Sequence, residues 1–113
     1  MTKIALSFVF ALAVSSAHAQ TDAQLRADGT KAGNPENVLT YGMGYHQNRY
    51  SPLNQINKGN VKRLVPVWST SLDNELGEQA QPLIHDGVMY VSNARWTYAI
   101  DALTGKEIGR AHV

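Results

Sequence analysis

Cysteine is absent from the 113-residue chain, which excludes a disulfide framework, a thiolate zinc site, a cysteine nucleophile and a lipidated cysteine. Charge of one sign is absent too: Lys and Arg number 10 against 9 Asp and Glu, so no long-range field attracts nucleic acid or an acidic membrane surface. Charged residues make up only 17%, below the roughly 25% usual for soluble domains. No apolar run approaches the about 20 residues that a membrane-spanning helix needs. What remains is an ordinary 43% apolar content, enough to argue against wholesale disorder, in a length that suits one modest domain.

The N-terminus has three parts. Met1-Thr2-Lys3 gives a positive start, Ile4 to Val14 is almost unbrokenly apolar, and Ala17-His18-Ala19 ends with small residues at its outer positions. This is the layout of a secretory signal peptide, with cleavage expected between Ala19 and Gln20; a buried N-terminal helix is the alternative. Removal of residues 1–19 takes away Lys3 and no acidic residue, leaving nine charges of each sign. A bacterial exporter and the periplasm are the expected route and destination. A small exported domain without disulfides needs a good core or a larger body to belong to.

Residues 21–30 read as a short helix, with Thr21 or Asp22 as cap, Gln24 at capping-box spacing from Thr21, and Gly29 at the end. Gly33-Asn34-Pro35 breaks the chain. From Asn37 to Asn54, Gly, Asn, Tyr and Pro follow no sustained period. An ordered irregular arm is expected there, because Tyr41, Tyr45 and Tyr50 are costly to leave in solvent. Residues 57–64 read as a single helical turn at most.

After Leu64 the period becomes two. Val65, Val67, Ser69 and Ser71 fall on one face of an expected strand and Pro66, Trp68, Thr70 and Leu72 on the other. Leu83-Ile84 and Val88 to Val91 flank His85-Asp86-Gly87 as a hairpin, since Asp-Gly supplies the positive φ values of a primed turn. Residues 96–101 form the next strand, with a turn at 103–106 and a fourth strand from Glu107. The expectation is three or four short antiparallel strands over 65–108, the size of one β-propeller blade. A lone blade leaves both faces wet, and propellers need about 4–8 of them.

Ala99-x-Asp101-x-x-Thr104-Gly105 resembles the tryptophan-docking motif, A-x-D-x-x-T-G-x-x-x-W, of the pyrroloquinoline quinone (PQQ) dehydrogenase propellers. Leu39-Thr40-Tyr41-Gly42, then Asn48-Arg49-Tyr50-Ser51-Pro52-Leu53 with Ile56-Asn57 and Asn60-Val61, resembles the N-terminal segment of methanol/ethanol-type quinoprotein alcohol dehydrogenases. The resemblance covers residues 37–108. It departs at Gly109, where the family has Trp. Ile108 to Val113 also matches one reading frame of a sequencing adapter, so residues 109–113 are expected to be a non-native tail. The motif's own residues have structural roles: Asp101 and Thr104 can bond the turn backbone, and Gly105 can take the left-handed conformation.

The resemblance implies an all-β fold, with residues 65–108 as the first blade, an antiparallel four-stranded sheet, of an eight-bladed β-propeller. It also implies PQQ at the propeller centre beside a calcium or lanthanide ion, an alcohol substrate, and electrons leaving to a cytochrome c. The paired cysteines, metal ligands and catalytic Asp of that family have no counterparts here, so no catalytic or metal residue is assigned. One cofactor contact is expected: a family Glu in a pattern like Glu-x-x-Pro. Counting back from Pro82 or Asp86-Gly87 places Gln79 in that column, while a one-residue bulge presents Glu78 instead.

Other candidates read as structural. His46 and His85 lack partners at ligand spacing, and Gly42-x-Gly44 lacks the strand and helix of a dinucleotide loop. Glu75 and Glu78 fall on a loop between strands, and Trp68 and Trp96 read as packing between blades. Lys58, Lys62 and Arg63 are too sparse for a nucleic-acid footprint. The expected reading is an exported N-terminal fragment of a PQQ-dependent alcohol dehydrogenase, inactive and marginally folded by itself. The rival classes are a non-catalytic envelope scaffold built on the same propeller and a stand-alone one-blade binding module.

Overall fold

The computed structural model describes residues 20–73 and 80–112. A short helix, α1 (Asp22–Ala27), opens the chain, and a 3-10 turn follows at Val61–Arg63. Four strands come after: β1 (Leu83–His85), β2 (Val88–Ser92), β3 (Trp96–Asp101) and β4 (Glu107–His112). They form one antiparallel sheet in sequence order. The fold is all-β, and the sheet has the form of a propeller blade.

Each turn follows from local chemistry. Thr21 Oγ1 accepts from the Gln24 N–H at 3.2 Å while Gln24 Oε1 accepts from the Thr21 N–H at 2.8 Å, so the capping box at the start of α1 is complete. The β1–β2 connection has positive φ at both Asp86 (48°) and Gly87 (79°), the two-residue turn whose twist matches flanking strands. The register pairs Leu83 with Tyr90, Val91 with Tyr98, and Ala99 with Gly109. Between β3 and β4 it slips by one, leaving Ile108 as the bulged residue between Glu107, opposite Ile100, and Gly109.

The sheet's two faces differ. Val91, Tyr98 and Ile100 are buried on one face, with Met89 and Trp96 of the sheet packed against them and Trp68 and Leu72 contributed from outside it. Each such side chain contributes about 1.5–3 kcal/mol when fully withdrawn from water. Across the other face runs a row of Leu83, Tyr90, Ala99 and Gly109.

Two expectations change. Residues 64–73 are extended but have no ladder partner among the described residues, so the expected strand over 65–72 is a free extended run. Its alternation survives: Trp68 and Leu72 turn inward, whereas Val65 and Val67 are 75% and 87% exposed. The arm is irregular and ordered, as expected, but not through tyrosine burial. Tyr41, Tyr45 and Tyr50 are each more than half exposed, and arginines hold two of them. The Arg49 guanidinium lies 5.3 Å from the Tyr41 ring centroid and donates to its hydroxyl at 2.7 Å; Arg26 lies 5.8 Å from that of Tyr45.

Candidate functional site

Gln79 and Glu78, the residues expected to touch a cofactor, lie outside the described residues, as do Glu75 and the expected signal peptide at 1–19. What the structure places is the frame on either side of residues 74–79. On the N-terminal side, the Leu72 carbonyl accepts from the Tyr98 hydroxyl and from Asn93 Nδ2, the latter at 2.8 Å. Asp73, at φ 48°, accepts from Arg110 at 3.1 Å. On the C-terminal side, Gln81 Oε1 accepts from the Gly42 N–H at 3.1 Å. Both flanks are thus tied down, one to the sheet and one to the arm.

The docking turn is the second element. The Asp101 carboxylate accepts from the Leu103 and Thr104 N–H groups at 3.0 and 2.7 Å and from the Thr104 hydroxyl at 2.8 Å. Thr104's backbone and hydroxyl, with smaller help from the Leu103 N–H and Lys106, hold the Asp101 carboxyl below its ordinary pKa. Gly105 sits at φ 71° and donates to the Asp101 carbonyl at 2.8 Å. The Trp68 ring lies on Gly105 so closely that an added Cβ would be 2.5 Å from it. Trp68 Nε1 donates to the Ala102 carbonyl at 3.1 Å. Trp68 therefore packs as expected, whereas at Gly109, where the motif has Trp, an added Cβ meets nothing within 4 Å.

The third element, Asp28, was not singled out by sequence. It is only 3% exposed, and its Oδ2 accepts from the N–H groups of Leu39, Thr40 and Gly44 and from the Thr40 hydroxyl, at 2.7 to 3.2 Å. It closes a loop in which Gly42, Met43, Gly44, Gln47 and Arg49 all have positive φ. Gly44 must be glycine because a Cβ there would meet the Asp28 carbonyl at 2.5 Å. That contact accounts for Gly44 within Gly42-x-Gly44 without a phosphate. Asn37 then joins arm to sheet, its Oδ1 accepting from the Asp86 N–H at 3.0 Å. An Asp before a glycine at a helix end was the available signal, but its partners lie 11 to 16 residues away.

Among the described residues no three His, Asp or Glu side chains gather as a metal site. Electrostatic and hydrogen-bonding capacity is committed to structure: Arg110 bonds Glu107 and Asp73 and lies over the Tyr98 and Trp96 rings at 5.1 and 5.5 Å. Those bonds hold its guanidinium pKa above the ordinary value. None of the helices is long and apolar enough to cross a membrane, again among the described residues.

A four-stranded antiparallel blade whose third strand ends in an Asp-x-x-Thr-Gly turn, with an indole seated on its glycine, defines the class as a β-propeller sheet of the docking-motif type. The glucose/ethanol/alcohol dehydrogenase β-propeller domain of PQQ proteins matches residues 39–112, and the chain belongs to that family. It is similar to the quinoprotein alcohol dehydrogenase PedH of Pseudomonas putida KT2440, with 49% identity over 78 residues, 66% of this chain and 13% of that protein. The dehydrogenase subunit of the quinone alcohol dehydrogenase of Gluconobacter oxydans 621H is 41% identical over 105 residues, 90% of this chain and 14% of that protein. The quinoprotein ethanol dehydrogenase of Pseudomonas aeruginosa PAO1 is 46% identical over 74 residues, 63% of this chain and 12% of that protein. The chain thus spans about one eighth of the length of these relatives.

Proposed function

We propose that the chain is the N-terminal part of an exported PQQ-dependent alcohol dehydrogenase. The observation that carries this is the docking turn at Asp101–Gly105 with Trp68 seated on it, in a chain matched by the family over residues 39–112. In the whole protein, an eight-bladed propeller holds PQQ with a calcium or lanthanide ion. Primary alcohols lose two electrons and two protons to become aldehydes, and cytochrome c carries the electrons away. When bound, PQQ supplies the two-electron oxidant. The periplasm is the proposed location, supported by the three-part pattern of residues 1–19. Relatives named for ethanol and 1-butanol oxidation support small primary alcohols as the substrate class.

This chain's share of that work is positioning. The ties at Leu72 and Gln81 fix the ends of the segment that carries Glu78 and Gln79, and no proton or electron step is assigned to a described residue. Residues 20–113 alone are expected to retain no PQQ on dialysis and to reduce no dye with ethanol. The protein translated from the full gene, loaded with PQQ and calcium or a lanthanide, is expected to do both. A full-length protein that neither retains PQQ nor oxidises any primary alcohol would overturn the reading in favour of a non-catalytic envelope scaffold.

A further inference from the structure

Residues 64–73 are latched to the sheet at two points on one face. Trp68 lies on Gly105 and bonds the Ala102 carbonyl; four residues later the Leu72 carbonyl is held by Tyr98 and Asn93. The backbone groups of residues 65–71 make no hydrogen bond among the described residues. The opposite face presents Val65 and Val67 to solvent. Alternating side chains, β-branched residues and a row of unpaired donors and acceptors are the properties of a strand whose sheet lies elsewhere. The relatives are about eight times longer than the matched stretch, so a parent of that length would have ample chain to supply that sheet.

We propose that residues 64–73 are a strand of a second sheet, clamped onto the first by Trp68 and Leu72, and that their free backbone edge takes a β-strand from the protein beyond residue 113. The arm would then be shared, covering one sheet and completing another. This inference rests on the proposed reading of the chain as part of a longer propeller.

Hydrogen exchange of the full-length protein tests it. The amides of residues 67–72 are expected to exchange roughly tenfold or more slowly than in the 113-residue chain. Trp68→Ala is expected to remove that protection and leave β2 and β3 protected. Should Trp68→Ala unfold the protein, Trp68→Phe is read instead: it keeps a ring on Gly105, loses the bond to Ala102, and should show partial loss, with unchanged protection overturning the latch. Unprotected amides at 67–72 in the full-length protein would sink the proposal. So would equal protection in the 113-residue chain together with a dimer on sedimentation, which would make a second copy the occupant. PQQ retention, measured on the same full-length sample, separates this inference from the functional one: a protein that holds PQQ with residues 67–72 unprotected refutes the strand alone.

Discussion

The sheet and the arm are ordered by different means. In residues 83–112, order is distributed: each strand residue shares in a ladder, and Tyr98 and Ile100 are buried by neighbours on several strands. In residues 20–63 it is concentrated in side chains that bond distant backbone, Asp28 above all, with Asn37 and the arginine-bound tyrosines. Distributed order degrades gradually under substitution, whereas concentrated order fails when one residue is lost.

The most damaging change should therefore fall in the arm. Asp28→Ala leaves three backbone N–H groups without their acceptor, at a cost of about 3–5 kcal/mol, since each unsatisfied buried donor costs about 1–3 kcal/mol. Proteolysis of residues 36–50 should accelerate while exchange in β3 barely moves; equal loss in both regions would break the contrast. Next, Ile100→Ala in the sheet should cost about 2–4 kcal/mol by leaving a cavity, with a lower urea midpoint as the readout. Gly105→Ala should follow at about 1–3 kcal/mol, combining a left-handed φ with collision against Trp68, visible as altered tryptophan emission.

The smallest effect is the pH response of the docking turn. Because the Asp101 carboxyl titrates below its ordinary value when folded, its contribution is complete above the unfolded carboxylate pKa, about 3.9. It is lost as pH falls through the lower folded value. The Leu103 and Thr104 amides should lose exchange protection beyond the intrinsic pH trend there, and Asp101→Asn should flatten that response.

The same contrast explains what the sequence made legible. Period-two patterning, Asp-Gly and Thr-Gly turns and a capping box act within a few residues, so β1 to β4, the hairpin and α1 were readable, and the family motif lay in the same stretch. Asp28 was not, because its partners are separated from it by an irregular loop and no periodicity announces a carboxylate that bonds backbone. The tyrosines misled for a related reason: side-chain cost says that an aromatic wants cover, but an arginine lid and half-exposure satisfied two of the three here. Residues 65–72 carried a strand pattern because alternation records which face is buried, and it says nothing of where the hydrogen-bonding partner is. For Gln79 and Glu78 the choice depends on a one-residue register that spacing alone leaves open.

One further consequence follows from Val38. Its N–H donates to the Ile84 carbonyl and its carbonyl accepts from the Ile84 N–H, both at 2.8 Å, so the outward groups at the centre of β1 are already taken. With Asn37 on the Asp86 N–H, that margin is sealed against recruitment by any passing strand. The arm thus serves as a selvedge: it gives the sheet a finished side at β1, so that adventitious strand addition, and the fibrous growth it seeds, has no foothold at the centre of that edge.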